Sequence, residues 1–275
     1  MSSSVAVSER RVALITGASG GIGRAIALRL ARQGMDLALL DLKETPHDLL
    51  DSLEEAGAKV CSRTCDIADQ EAVRLAIEEI AGRLASVSCL VNNAGLTALI
   101  APLGRITSAD WQRELDVNLT GPLYLIQAVL PAMRAKRWGR IVNISSMAAR
   151  GGLYYQAGYS ASKTALLGLT RNVTLEHARD GITCNAVLPG LIETPAASQM
   201  PALIKNDAIA LVPARRMGEP AEVAALVGFL CSDEAGFING AEIDIDGGGR
   251  LCPAVLGSQR EVAERQARAA GRESL

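Results

Sequence analysis

Short, nearly continuous apolar runs alternate along this chain with longer stretches in which apolar residues recur every three or four positions. Val12–Thr16 reads V-A-L-I-T, and comparable runs recur at residues 37–40, 59–63, 87–91, 139–144, 182–188 and 242–246. A run with no polar alternation predicts a strand covered on both faces, as in a parallel sheet. The intervening spacing predicts helices over residues 22–33, 45–56, 70–85, 108–136, 159–178 and 220–232. Strands alternating with helices in this way predict an α/β fold, a doubly wound sheet with helices on both faces. Residues 195–219 break the pattern with prolines and short apolar runs of no clear period, and segment 191–219 is expected to form a flap near a site. No repeat or linker divides the chain. It reads as an N-terminal extension (1–10), one domain (11–249) and a polar, arginine-rich tail (250–275), expected to be a frayed surface helix rather than a subunit contact.

Composition narrows the partners. At 275 residues and 49% apolar types, the chain can bury a large core. Its net charge of −2 offers no basic face to nucleic acid or anionic lipid, so a small molecule is the expected partner. No segment reaches eighteen uninterrupted apolar residues, and no membrane span is expected. The 6 cysteines lack Cys-x-x-Cys spacing and the N-terminus lacks a signal-like apolar run, so reduced core thiols and a cytoplasmic protein are expected. Two histidines, His47 and His177, are too few for a zinc cluster or a serine-histidine nucleophile, and no metal is expected.

The candidate chemistry lies at strand ends. After the first strand comes T-G-A-S-G-G-I-G, whose glycines suit a tight turn, a close approach to phosphate and close helix packing. Gly17, Ser19, Gly21, Ile22 and Gly23 are the candidate cradle, with the positive end of the following helix aimed at the ligand. No Lys-Ser/Thr ending follows, which excludes a Walker A loop. Asp41 ends the second strand, where a carboxylate accepts from ribose hydroxyls and repels a 2′-phosphate, favouring NAD over NADP. Asp66, followed by Ile67, stands either near the adenine or as a helix-flanking residue. N-N-A-G follows the fourth strand and brings Asn93 to the same crevice, because strand order reverses there. Asn118 is a polar residue in an apolar helical run and needs a partner, since an unpaired buried amide costs about 1–3 kcal/mol. Tyr159 and Lys163 share one helical face, where an ammonium beside a phenol favours the phenolate.

Taken together, T-G-x-x-x-G-x-G, N-N-A-G, Asn118, Ser146, Y-x-x-x-K and P-G-x-I-x-T at residues 189–194 occur in one order over about residues 10–249. In this the chain resembles the classical short-chain dehydrogenase/reductase family. The resemblance implies a single Rossmann-type domain with a mainly parallel seven-stranded sheet, a catalytic set of Asn118, Ser146, Tyr159 and Lys163, and nicotinamide contacts from Ile192 and Thr194. Ser145 rivals Ser146, but Ser146 has the family's usual spacing to Tyr159. The resemblance also implies a homotetramer, a water held by Asn118, and ribose contacts from Lys163. Gly20 stands where NADP users often carry a basic residue, and the tail runs longer than usual.

The expected function is NAD-linked interconversion of a secondary alcohol and a ketone, with Tyr159 as acid/base and Ser146 orienting the substrate oxygen. Apolar segments around the site favour an uncharged substrate, although Arg150 and Lys205 leave an anionic one open. An NADPH-linked 3-oxoacyl thioester reductase is the nearest alternative. A non-catalytic NAD-binding sensor is the more distant one, and it has no need of the serine, tyrosine and lysine.

Overall fold

Burial of the apolar runs on both faces decides the architecture. Val12, Ala13, Leu14 and Ile15 are each at most 1% exposed, so this strand must be sandwiched. The structure is a computed structural model that describes residues 10–97, 99–251, 263, 266 and 267. Its strands are β1 (Val12–Thr16), β2 (Asp36–Asp41), β3 (Val60–Thr64), β4 (Val87–Asn92), β5 (Gly139–Ile144), β6 (Ile182–Pro189) and β7 (Glu242–Ile245). They form one seven-stranded sheet in the order β3-β2-β1-β4-β5-β6-β7, and every neighbouring pair is parallel.

The helices are α1 (Gly21–Arg32), α2 (His47–Glu55), α3 (Gln70–Arg83), α4 (Ser108–Leu115), α5 (Gly121–Lys136), α6 (Ala148–Gly151), α7 (Ala157–His177), α8 (Pro195–Ser198), α9 (Ala202–Leu211) and α10 (Pro220–Leu230). The two-residue period of the strands sends successive side chains to opposite cores. Ala13, Ile15, Leu37 and Leu39 pack under α1, α2 and α10 through Ile26, Leu30, Leu53 and Val227. Val12, Leu14, Ala38 and Leu40 face Ile80 of α3 and Leu125, Val129 and Met133 of α5.

Several boundaries depart from the sequence expectation for local reasons. The helix expected over 108–136 is interrupted by a π turn, Asp116–Thr120, centred on Asn118. Helix α2 starts at His47 because Pro46 sits at its N-cap, and α7 starts two residues before Tyr159. The loop before α7 contains α6, and the aperiodic flap contains α8 and α9, neither with a buried residue. Without a buried face, a helix leaves no amphipathic signature to read. The N-terminal extension (1–9) and nearly all of the tail lie outside the described residues.

Candidate active site

Strand order reverses between β1 and β4, so their C-terminal ends open a crevice that chain connectivity leaves uncovered. Gly17 and Gly21 take φ of +63° and +54° in the turn after β1, a region that side chains disfavour. The turn is stitched to the loop after β4. Thr16 Oγ1 accepts from the backbone N–H groups of Asn93 and Ala94, each at 3.0 Å. Asn93 Nδ2 donates to the carbonyls of Thr16 (2.9 Å) and Gly17 (3.0 Å). Asn93, expected among the cofactor contacts, therefore spends its amide bracing the turn.

A Cβ on Gly23 would lie 2.1 Å from the Gly17 carbonyl oxygen. Gly23→Ala must open the turn, and we expect a loss of about 1–3 kcal/mol, read as a lowered melting temperature. Gly20, by contrast, faces open space.

Asp41 is half-buried beside this turn, its Oδ2 accepting from Ser19 N–H (3.1 Å) and its Oδ1 from Lys43 N–H (3.3 Å). Ser19 Oγ is buried without a hydrogen-bond partner. An orphaned hydroxyl in a glycine turn at the start of α1, where first-turn N–H groups lack intrahelical partners, fits a pyrophosphate group. Ile22 packs at the edge of the core beneath. The flap root reaches the same turn, since a Cβ on Gly21 would lie 3.2 Å from Thr194 Cγ2. Ile192 is buried and bridged to Gly218. The residues present thus fit a nicotinamide dinucleotide.

Asp66 divides its carboxylate between two partners: Oδ1 accepts from Ala68 N–H (3.0 Å) and Oδ2 from Arg113 Nη2 (2.8 Å). The arginine is one that no motif announced. Ile67 is buried, wedged where a Cβ on Gly121 would come within 2.8 Å of its Cγ1.

The end of β5 is sewn to α7. Lys163 Nζ donates to the Ile144 carbonyl (2.8 Å), and Ser145 Oγ donates to the Lys163 carbonyl (2.9 Å). Ser146 Oγ accepts from Ala148 N–H (3.1 Å), and Ser146 stands close enough to the Tyr159 phenol to favour its ionised form. Ser145 is thus an anchor for the helix, and Ser146 is the serine that meets the phenol. Asn118 finds its partners: Oδ1 accepts from Leu96 N–H (2.7 Å), and Nδ2 donates to the Leu96 carbonyl (3.0 Å) and Ser162 Oγ (3.1 Å). Ser162, fully buried, in turn donates to the Tyr159 carbonyl (2.8 Å). The π turn so fixes the start of α7 through side chains that sequence spacing does not reveal.

Electrostatics depart from the sequence expectation. Lys163 Nζ lies 5.8 Å from the Tyr159 ring centroid and is committed to the Ile144 carbonyl. Burial raises the Tyr159 phenol above its ordinary value, the nearby Ser146 hydroxyl opposes this, and the charge of Glu114 adds to it. Lys163 itself is pushed down to about 8 by burial.

A lysine with a folded pKa below its unfolded value binds fewer protons when folded across that interval, so its contribution to stability rises with pH from about 8 to roughly 10.4. At pH 7 the buried charge costs on the order of 3 kcal/mol. We expect Lys163→Met to raise the melting temperature at pH 7 and to lose that advantage above roughly pH 10, as thermal denaturation across pH would record.

Among the described residues, no group of three or more His, Cys, Asp or Glu is placed to hold a metal, and no helix is long and apolar enough to cross a membrane. The family model described as Enoyl-(Acyl carrier protein) reductase matches residues 17–249. The chain is 37% identical over 241 residues to the 3-oxoacyl-acyl-carrier-protein reductase FabG of Thermotoga maritima, covering 87% of this chain and 98% of that protein. It is 36% identical over 238 residues to the cis-4-hydroxycyclohexanecarboxylate dehydrogenase of Sinomonas cyclohexanicum, covering 86% and 96%. A crystal structure from Beutenbergia cavernae, assigned as an NAD(P)-dependent gluconate 5-dehydrogenase and holding NADP at low occupancy, superposes with a TM-score of 0.83 at 35% identity, covering 88% of this chain and 97% of that one.

Proposed function

The chain belongs to the classical short-chain dehydrogenase/reductase family of oxidoreductases, and from that premise we propose that it interconverts a secondary alcohol and a ketone with NAD as cofactor. The observation that carries this reading is that Tyr159 and Lys163 of α7 are held against the end of β5, next to Ser146, beside a crevice rimmed by Asp41.

Gly17, Ser19, Gly21, Ile22 and Gly23 would hold the pyrophosphate, Asp41 the adenosine ribose, and Ile192 and Thr194 the carboxamide. The nicotinamide supplies hydride donation and acceptance when bound. Ser146 donates to the substrate oxygen and orients it. Tyr159 takes the proton from that oxygen during oxidation and returns it during reduction, so that no alkoxide accumulates. Lys163 would hold the ribose hydroxyls and lend positive charge to the phenolate, and Asn118 would hold a water that connects the lysine to solvent. Burial raises Tyr159, so alcohol oxidation should rise with pH through the neutral range, as the pH dependence of kcat/KM would record.

The substrate we infer is uncharged. Arg150 is paired with Asp244 and Glu242 (both 3.1 Å), and Lys205 with Glu193 (3.6 Å), so these two cations are already neutralised. Ile100, Leu153, Tyr154, Leu203 and Ile204 are exposed apolar side chains on the neighbouring loops and α9. Ala101 N–H donates to the Tyr155 carbonyl (2.9 Å), tying two of these loops together. Neutral cyclic secondary alcohols are expected to exceed carboxylate-bearing analogues by about tenfold or more in kcat/KM, the difference that one unpaired charge makes in a partly desolvated pocket. Equal rates for the two classes would remove this substrate reading.

The second reading, an NADPH-linked 3-oxoacyl thioester reductase, draws support from the name of the Thermotoga maritima relative. Asp41 weighs against it. Five described cysteines are free and buried, which accords with a cytoplasmic protein. Leu175 of α7 and Phe237 are fully or largely exposed, and such apolar side chains suit the subunit contacts of a homotetramer.

A further inference from the structure

One buried carboxylate takes no part in the proposed chemistry. Glu114, near the end of α4, is only 3% exposed, and neither carboxylate oxygen has a hydrogen-bond partner. A charged group so placed is costly unless it is neutralised or serves a neighbour. Its neighbour is the first turn of α7. A Cβ on Gly158 would lie 2.1 Å from Glu114 Oε2, so only glycine lets the carboxyl pass beneath this backbone. The Tyr159 backbone N–H lies close to the carboxyl and favours its ionised form, though it falls short of full hydrogen-bonding geometry.

We propose that Glu114 is a positioning residue for Tyr159: its carboxyl, buried without a hydrogen-bond partner under the Gly158–Tyr159 peptide, governs when the phenol carried by that turn gives up its proton.

The groups around it are consistent with that role. On its own helix Asp110 adds negative charge, and Arg113 is turned away to Asp66. From the π turn, Asp116 is engaged by Gln112 Nε2 (2.8 Å). From α7 come Tyr159 and Lys163, and the lysine Nζ is committed to the Ile144 carbonyl. No cation among these is paired with Glu114. Burial, together with Asp110, raises its carboxyl above the usual range, and its charge raises the phenol. Glu114 thus adds to burial in keeping Tyr159 protonated, which suits the carbonyl-reducing direction and restrains alcohol oxidation at neutral pH.

This inference rests on Tyr159 being the acid/base, and its test separates the two claims. Tyrosinate absorbance of the protein without cofactor is titrated for the wild type, Tyr159→Phe and Glu114→Gln. The step lost in Tyr159→Phe identifies the Tyr159 phenol whether or not the enzyme turns over. In Glu114→Gln, nearly identical in shape, that step should move to lower pH by about half a unit or more, as expected on removing a nearby like charge. The ascending limb of kcat/KM for alcohol oxidation should move with it, making the variant faster than wild type at neutral pH.

A packing role alone would leave the titration in place and lower the rate. An unmoved tyrosinate step in Glu114→Gln overturns the inference, whatever the fate of the catalytic reading. Turnover retained in Tyr159→Phe overturns the catalytic reading instead. Gly158→Ala supplies an independent arm: by driving the carboxyl out, it should reproduce the downward shift of the phenol titration, and a titration unchanged there would also count against the role.

Discussion

Tyr159→Phe is expected to lower kcat by about a thousandfold, the usual scale for loss of a positioned general acid/base, while leaving the dissociation constant for NAD within about twofold. The asymmetry follows from how the residue is held. Its backbone is fixed by Ser162 Oγ, which donates to the Tyr159 carbonyl, and by the helix it belongs to, so the ring keeps its place when the hydroxyl is lost. What disappears is the group proposed to move a proton at the substrate oxygen. Transition-state stabilisation falls and ground-state binding of the dinucleotide does not. Steady-state rates with a cofactor titration by fluorescence quenching separate the two, and a kcat within tenfold of wild type would remove Tyr159 from the mechanism.

The second large effect is expected at Asp41. Its carboxylate sits between the backbone N–H groups of Ser19 and Lys43, at the rim of the glycine turn. A 2′-phosphate brought within about 4 Å of it meets a repulsion on the order of 4 kcal/mol at surface-like screening. Asp41→Ser relieves that repulsion and weakens the pairing with a 2′-hydroxyl. The ratio of kcat/KM for NAD over NADP should fall by about a hundredfold, with most of the change appearing in KM for NADP. An unchanged ratio would place the discrimination elsewhere.

The sheet was legible because burial on both faces writes strands as uninterrupted apolar runs, and β1, β5 and β6 sit where those runs lie. The nucleotide turn was legible because its glycines answer steric demands that no other residue meets, as Gly17 and Gly23 illustrate. Less could be read of how the site is held. Asn93 read as a ligand contact, and the sequence did not show that its Nδ2 also braces the turn, because a sequence shows that an amide is present and not which carbonyls it can reach. The Asn118 kink appeared only as a polar residue in an apolar run, and its partners Leu96 and Ser162 are 22 and 44 residues distant.

Glu114 was hidden altogether. In W-Q-R-E-L-D it reads as one more surface charge, and its burial arises from α4 packing on α7 beneath Gly158. The charge balance was equally out of reach. Proximity of Lys163 to Tyr159 suggested a lowered phenol, whereas burial, which depends on the whole surrounding structure, pushes the phenol up, and the lysine Nζ is turned to Ile144.

The most direct test of the account is the initial rate at which reduced nicotinamide forms when the purified protein is mixed with a neutral cyclic secondary alcohol and either NAD or NADP. The account predicts formation with NAD at a kcat/KM about tenfold or more above that with NADP. A preference for NADP, or binding of NAD with no turnover of any secondary alcohol, would contradict it.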